Sequence, residues 1–131
     1  MEQKSFEQLK KEFINSLSGA DKKAILADMV KVAKEHKDWL FILGNTKRDD
    51  DLFHTIESKV VGTATNLNEL EHVLNNYNLL EEATESAVEK ALKLATDEEL
   101  PGLEELCRKK LLTHLYTAEK LARAEKKLTE N

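Results

Sequence analysis

Residues 66–95 read NLNELEHVLNNYNLLEEATESAVEKALKLA, and the spacing of the apolar letters in this run decides the fold class. Leu70, Leu74, Tyr77, Val88 and Ala91 return at intervals that keep them on one side of an α-helix. At a rise of ~1.5 Å per residue the run predicts a helix about 45 Å long. Glu81 falls inside that apolar stripe, between Tyr77 and Val88, with Glu85 one turn on.

The same periodicity extends outward. On the C-terminal side, Thr96-Asp97 reads as a turn and cap. A last helix is then predicted over 98–128, with Pro101 tolerated in its first turn. Its stripe is Leu103, Cys107, Leu111, Leu115, Ala118, Leu121, Ala122 and Leu128, a spacing near 3.5 residues that suits left-handed bundle packing. On the N-terminal side, Gly62-Thr63-Ala64-Thr65 has two readings. It is either a break, with Asn66 and Glu69 forming a new capping box, or a weak spot inside one long helix, because the stripe Ile56, Val60, Ala64, Leu67, Leu70 crosses it without a phase jump. A kink or break is the favoured reading. Before it, Leu52, Phe53, Ile56 and Val60 predict a short helix over 50–62, and Asn45 to Asp51 is a polar loop. Ile25, Met29, Val32, Ala33, Trp39, Leu40 and Leu43 predict a helix over 21–43, capped by Asp21. Phe6, Leu9, Phe13 and Leu17 predict one over 5–17, opened by a Ser5/Gln8 capping box.

The expectation is a single all-α domain over residues 1–131. Its architecture would be an antiparallel four-helix-type bundle with an additional short N-terminal helix and a long C-terminal helical hairpin. Length and composition agree. A chain of 131 residues with 40 % hydrophobic residues can bury a core without staples. One Pro and four Gly are too few for a turn-rich β domain. Charged residues reach 34 % but are interleaved with Leu, Ile, Val and Ala, which argues against disorder.

Cys107 is the only cysteine, so an internal disulfide and a multi-cysteine metal site are excluded. No apolar run approaches a membrane span, and Met1 to Lys11 is too polar for a signal peptide. A cytoplasmic protein without membrane association is expected. Nucleic-acid binding is not expected, because the chain has only seven aromatics and no basic stripe interleaved with them.

The net charge of −5 is unevenly placed. Residues 69–105 carry eleven acidic groups against Lys90 and Lys93, and residues 108–127 carry seven basic groups against Glu119 and Glu125. Helix electrostatics accounts for this if acids open the helices and bases close them. An acidic face for a basic partner is the alternative.

Among the histidines, His36 and His114 lie within apolar stripes and are expected to point inward, while His54 and His72 are expected at the surface. Glu69 and His72 have the Glu-x-x-His spacing of bundle metal sites but fall well off the stripe centre. Glu81, His36 and His114 are therefore the one inward polar set, and the candidate metal ligands if a metal is held at all. The default reading has them paired or hydrogen-bonded in the core, with no metal and no cofactor. Cys107 lies between apolar positions and reads as an inert core thiol despite Arg108 and Lys109 beside it. No phosphate loop and no nucleophile motif is present, so an enzyme is the less favoured reading.

Leu79-Leu80-Glu81-Glu82, Ala83, Ala87, the run from Ala91 to Leu100, and Leu111-Leu112-Thr113-His114-Leu115 together resemble the helical hairpin of ferritin-like proteins, over residues 66–128. The resemblance implies a bundle in which a Glu on one helix faces a Glu-x-x-His on the next. Here the position three residues before His114 is Leu111, so the di-metal ligands are not retained, and ferroxidase or oxygenase activity does not carry over.

Function is then expected to lie in association, with the chain itself or with another protein. Two helices of about 45 Å would be covered by a second helix of about 35 Å and shorter pieces of about 20 Å, leaving hairpin surface for a homodimer. Leu112 and Tyr116 lie off the main stripe of the last helix and form the expected contact surface.

Overall fold

The structure, a computed structural model, describes residues 4–129. It is all-helical, with no strand among the described residues. The chain divides into two compact units, residues 1–63 and 64–131. In the first, α1 (Phe6–Asn15) packs on α2 (Gly19–Val32), and α3 (His36–Gly44) packs on α4 (Phe53–Thr63). In the second, α5 (Leu67–Asn76) packs on α6 (Glu81–Leu94). A 3-10 turn (Leu100–Leu103) then leads into α7 (Glu104–Lys109), and α8 (Thr113–Thr129) packs on both α6 and α7.

Local chemistry sets most of the boundaries. The Ser5 hydroxyl accepts from the Gln8 amide at 3.2 Å, and the Gln8 side chain accepts from the Ser5 amide at 2.9 Å, so α1 opens on the expected capping box. The Phe6 and Phe13 rings of α1 meet Phe41 of α3 edge-on, with centroids 6.3 and 5.7 Å apart. The cap of α2 is Ser18, which accepts from the Asp21 amide; Asp21 is the N3 residue and not the cap. The chain breaks between α4 and α5. Asn66 accepts from the Glu69 amide at 2.9 Å, and Glu69 Oε1 accepts from the Thr65 amide at 2.8 Å.

Each of the three long helices expected from the sequence is divided. The 21–43 segment is interrupted at Ala33–Glu35, where Asp38 Oδ2 accepts the amides of both Lys34 and Glu35 at 3.1 Å. That leaves α2 and α3 as separate helices. The 66–95 segment is interrupted at Tyr77–Leu80, both of which have extended backbone. Ala83 lies nine residues after Leu74, so one continuous helix would place it half a turn out of phase. The break re-phases α6 so that Ala83, Ala87 and Ala91 are all buried.

The 98–128 segment is interrupted at Lys110–Leu112. The Leu112 amide reaches back to the Cys107 carbonyl at 2.7 Å, and the Leu111 amide to the Arg108 carbonyl at 3.1 Å. These two bonds form a Schellman motif, and Leu111 occupies its left-handed position with φ 60°. Glycine normally fills that position because a Cβ there costs about 1–2 kcal/mol. Leu111→Gly is therefore expected to raise the unfolding free energy by about 1 kcal/mol in dilute protein. Urea denaturation checks this, and a loss of stability would mean that the Leu111 side chain contributes more to the folded chain than its backbone strain removes.

The restart after Leu111 rotates α8. Leu112, the residue after the left-handed position, turns inward, as the motif directs, and Tyr116 follows one turn later. The two are 9 % and 7 % exposed. They belong to the core of their own unit and are not the outward contact surface expected from the sequence.

Arg123, two turns beyond Tyr116, fixes the same face. Its Nη2 donates to the carbonyls of Leu92 and Ala95 at 2.7 and 2.6 Å. Its Nε donates to Glu119 at 2.9 Å and its Nη1 to Asp97 at 3.1 Å. The carbonyls at the end of α6 have no partners within the helix, and this one guanidinium satisfies two of them. Glu119 beside it holds the Arg123 pKa above even its ordinary high value. Lys127 foremost, and then Arg123, hold the Asp97 carboxyl below the usual range.

The longest described helix is α8 at 17 residues, about 25 Å. The length mismatch that pointed to a homodimer in the sequence is therefore not found in the structure. No helix among the described residues is long and apolar enough to cross a membrane.

Candidate functional site

The titratable residues singled out in the sequence are divided between the two units. His36 opens α3, is half-buried, and places Nδ1 3.1 Å from the Thr63 hydroxyl at the end of α4. His36 belongs to the first unit, while Glu81 and His114 belong to the second. Glu81 is exposed as the first residue of α6. It is not the inward carboxylate that a continuous helix would have made it. At that position it meets the positive end of the α6 dipole, which stabilises it in solvent. His114 is exposed too, because the rotation of α8 turns its predicted stripe outward. Among the described residues no group of three or more His, Cys, Asp or Glu side chains is arranged to hold a metal ion.

Glu69 is committed to the cap of α5 through Thr65 and Asn66. His72 sits on the exposed side, its Nδ1 3.2 Å from the Asn76 side-chain Nδ2. The Glu-x-x-His spacing is thus a cap and a surface histidine. The fully buried carboxylate is Glu57 on α4, with His54 Nδ1 3.3 Å from its Oε2. Its signal in the sequence is its spacing, since Phe53, Glu57 and Val60 share one helix face. Burial pushes the Cys107 thiol up, away from the thiolate, so the side chain acts as a core hydrophobe.

Helix ends account for part of the uneven charge. Glu69, Glu81 with Glu82, and Glu104 with Glu105 lie in the first turns of α5, α6 and α7. Lys93, Arg108 with Lys109, and Lys126 with Lys127 lie in the last turns of α6, α7 and α8. Each set complements its helix dipole.

Two features are left that local structure does not use. The first is the outward face of α8. Leu121 and Leu128 are 59 % and 77 % exposed. Ala118 and Ala122 lie exposed between and beside them, and Leu115 is half-buried at the edge. Leu111, 87 % exposed, stands in the turn before the helix. This is the part of the predicted stripe beyond Cys107, which the sequence assigned to the intrachain core and the fold leaves largely uncovered, while Leu103 and Cys107 are buried. The second is an apolar cleft of about 480 Å³ in the first unit, between α2 and the α3–α4 pair. A larger hollow beside Arg123 is lined by Lys93, Asp97, Glu119, Lys126 and Lys127. Its central charges pair with one another, Arg123 with Glu119 and Asp97, and Lys127 with Asp97, so it has the character of a surface ion network.

Comparison with known proteins finds no matching family model, no matching curated protein and no matching solved structure.

Proposed function

We propose that this protein works by self-association, and that the exposed face of α8 is the surface through which two copies join. The observation that carries this reading is the uncovered stripe itself. His114, Ala118, Leu121, Glu125 and Leu128 follow alternating spacings of four and three residues, the heptad pattern of helix pairs, and all five are exposed. Large exposed apolar side chains gathered on one regular face mark an interaction site, whereas scattered ones do not.

The residues on the stripe favour a second copy as the occupant, running antiparallel. When Ala118 faces Leu121 of the second copy, the positions four residues outward place His114 opposite the second copy's Glu125. By symmetry Leu121 then faces Ala118, and Glu125 faces His114. Each small residue meets a large one, and the one acid on the stripe meets the one histidine. Beyond them Leu128 runs out towards the turn where the second copy exposes Leu111. A parallel pair would instead stack Glu125 on Glu125, and like charges directly opposed are destabilising. The exposure of Glu81 and His114 leaves less support for a ferritin-like metal role than for association.

An interface of one helix pair about 25 Å long is small, so the dimer is expected to dissociate within the micromolar range. Sedimentation equilibrium of the full chain tests it. The mass is expected to rise from 14.9 kDa towards twice that value with concentration. His114→Glu and Glu125→Lys are each expected to weaken association about tenfold, and the double variant to recover it, because it again sets an acid opposite a base. A mass that stays at the monomer value at high concentration would remove the self-association reading. A dimer that ignores all three variants would keep the association and remove this register.

A further inference from the structure

The cleft of the first unit is built like a binding site for an amphiphile. Its floor is Phe13, Ile42 and Ile56, all buried, and its wall is Leu26 and Val30, one turn apart on α2 and only half-buried. Close-packed interiors leave few voids, yet here α2 stands off α3 and α4 by a space of about 480 Å³. That volume lies within the range of small-molecule sites, roughly 300–1,000 Å³.

The polar groups at the cleft are nearly all committed. Thr46 and Asn45 donate back to the carbonyls of Ile42 and Phe41, and Asp50 accepts from the Leu52 amide at the start of α4. Against the one carboxylate of Asp50 the rim sets three ammonium groups, Lys22, Lys23 and Lys47, so it is net positive. None of these three ammonium groups is in an ion pair with another described residue. Lys22 Nζ sits 5.3 Å from the centre of the Phe13 ring, over the apolar mouth. A ligand that fits this arrangement has a hydrocarbon part without polar groups, since a buried polar group would find no partner on the floor, and an anionic head that meets the lysines.

We propose that the cleft binds a free single-chain aliphatic carboxylate, tail on Ile42 and Ile56 and head among Lys22, Lys23 and Lys47. The inference is independent of the α8 surface. Calorimetric titration of the full chain with octanoate and decanoate, below their micelle concentrations, tests it, with decylammonium as the probe of opposite charge. Decanoate is expected to bind tighter than octanoate by up to about fourfold per added methylene, and at least tenfold tighter than decylammonium. Lys22→Gln with Lys47→Gln, both at the rim, is expected to weaken decanoate about tenfold while leaving the helical circular dichroism unchanged. Ala27→Trp, placed on the exposed lip to fill the space, is expected to abolish binding. Decanoate and decylammonium binding equally would overturn the proposal, since the groove would then be merely apolar. So would the absence of decanoate binding, or binding that neither variant changes.

Discussion

Arg123→Ala is expected to lower the stability of the second unit by about 2–4 kcal/mol. The side chain is largely covered and makes four hydrogen bonds, two to carbonyls at the end of α6 and two to carboxylates. Hydrogen bonds from a charged donor are worth about 1.5–3 kcal/mol each but do not add when they share one group. The larger part of the loss is expected from the carbonyls of Leu92 and Ala95, which lose the one guanidinium that serves them both. Arg123→Lys keeps the charge but loses the planar fork, and a point charge cannot serve carbonyls and carboxylates in four directions. It is expected to recover less than half of the loss. Urea denaturation of the full chain, followed by circular dichroism, measures both variants. A loss below about 1 kcal/mol for Arg123→Ala would mean that water replaces the guanidinium at the end of α6.

Arg123 also explains which part of the fold could be read from the sequence. Some helix starts governed by partners three residues apart were legible, although the Ser18 cap of α2 and the Glu35/Asp38 box of α3 were not. The Ser5/Gln8 box, the Asn66/Glu69 cap and the Thr96 turn all appear where the sequence put them. The face that α8 buries was not legible, because the residues that decide it are far apart. Arg123 bonds to Leu92, 31 positions earlier. Nothing in the type of Leu111 announces a left-handed backbone, since the motif is normally filled by glycine. Two apolar faces were visible on this helix, Leu112 with Tyr116 and Leu115 with Leu121. Periodicity alone ranks them by size, and the smaller face is the one the core took.

The candidate site follows from the same inversion. Association was an expectation of the sequence, but the surface argued for it is now the face that was first assigned to the core. A single helix over residues 66–95 would turn Glu81 inward. With the break at Tyr77–Leu80, Glu81 becomes a helix-opening residue in solvent, and the buried acids among the described residues are Glu57 and Asp38. The cleft between α2 and the α3–α4 pair was not legible, because it depends on a second break that no Gly or Pro marks.

That second break is where the remaining large effect is expected. Asp38→Ala should destabilise the first unit by about 2–3 kcal/mol. Asp38 lies one turn inside α3 and is buried, and its Oδ2 accepts the amides of Lys34 and Glu35 together. Those amides belong to the stretch after α2 has ended, where Ala33 and Glu35 both have extended backbone, so no helix carbonyl is in place to receive them. Alanine at position 38 removes the acceptor and leaves the chain two choices. Both amides turn to water with the turn loosened, or α2 continues into α3 and their packing is rebuilt. Either choice disturbs the stand-off of α2 that opens the cleft. Asp38→Asn retains a side-chain oxygen without the charge and is expected to lose about half as much. Hydrogen exchange separates the break from a general loss of stability. The Lys34 and Glu35 amides are expected to exchange much faster in Asp38→Ala while the amides of α1 keep most of their protection. Unchanged protection at Lys34 and Glu35 would show that Asp38 does not hold the break between α2 and α3.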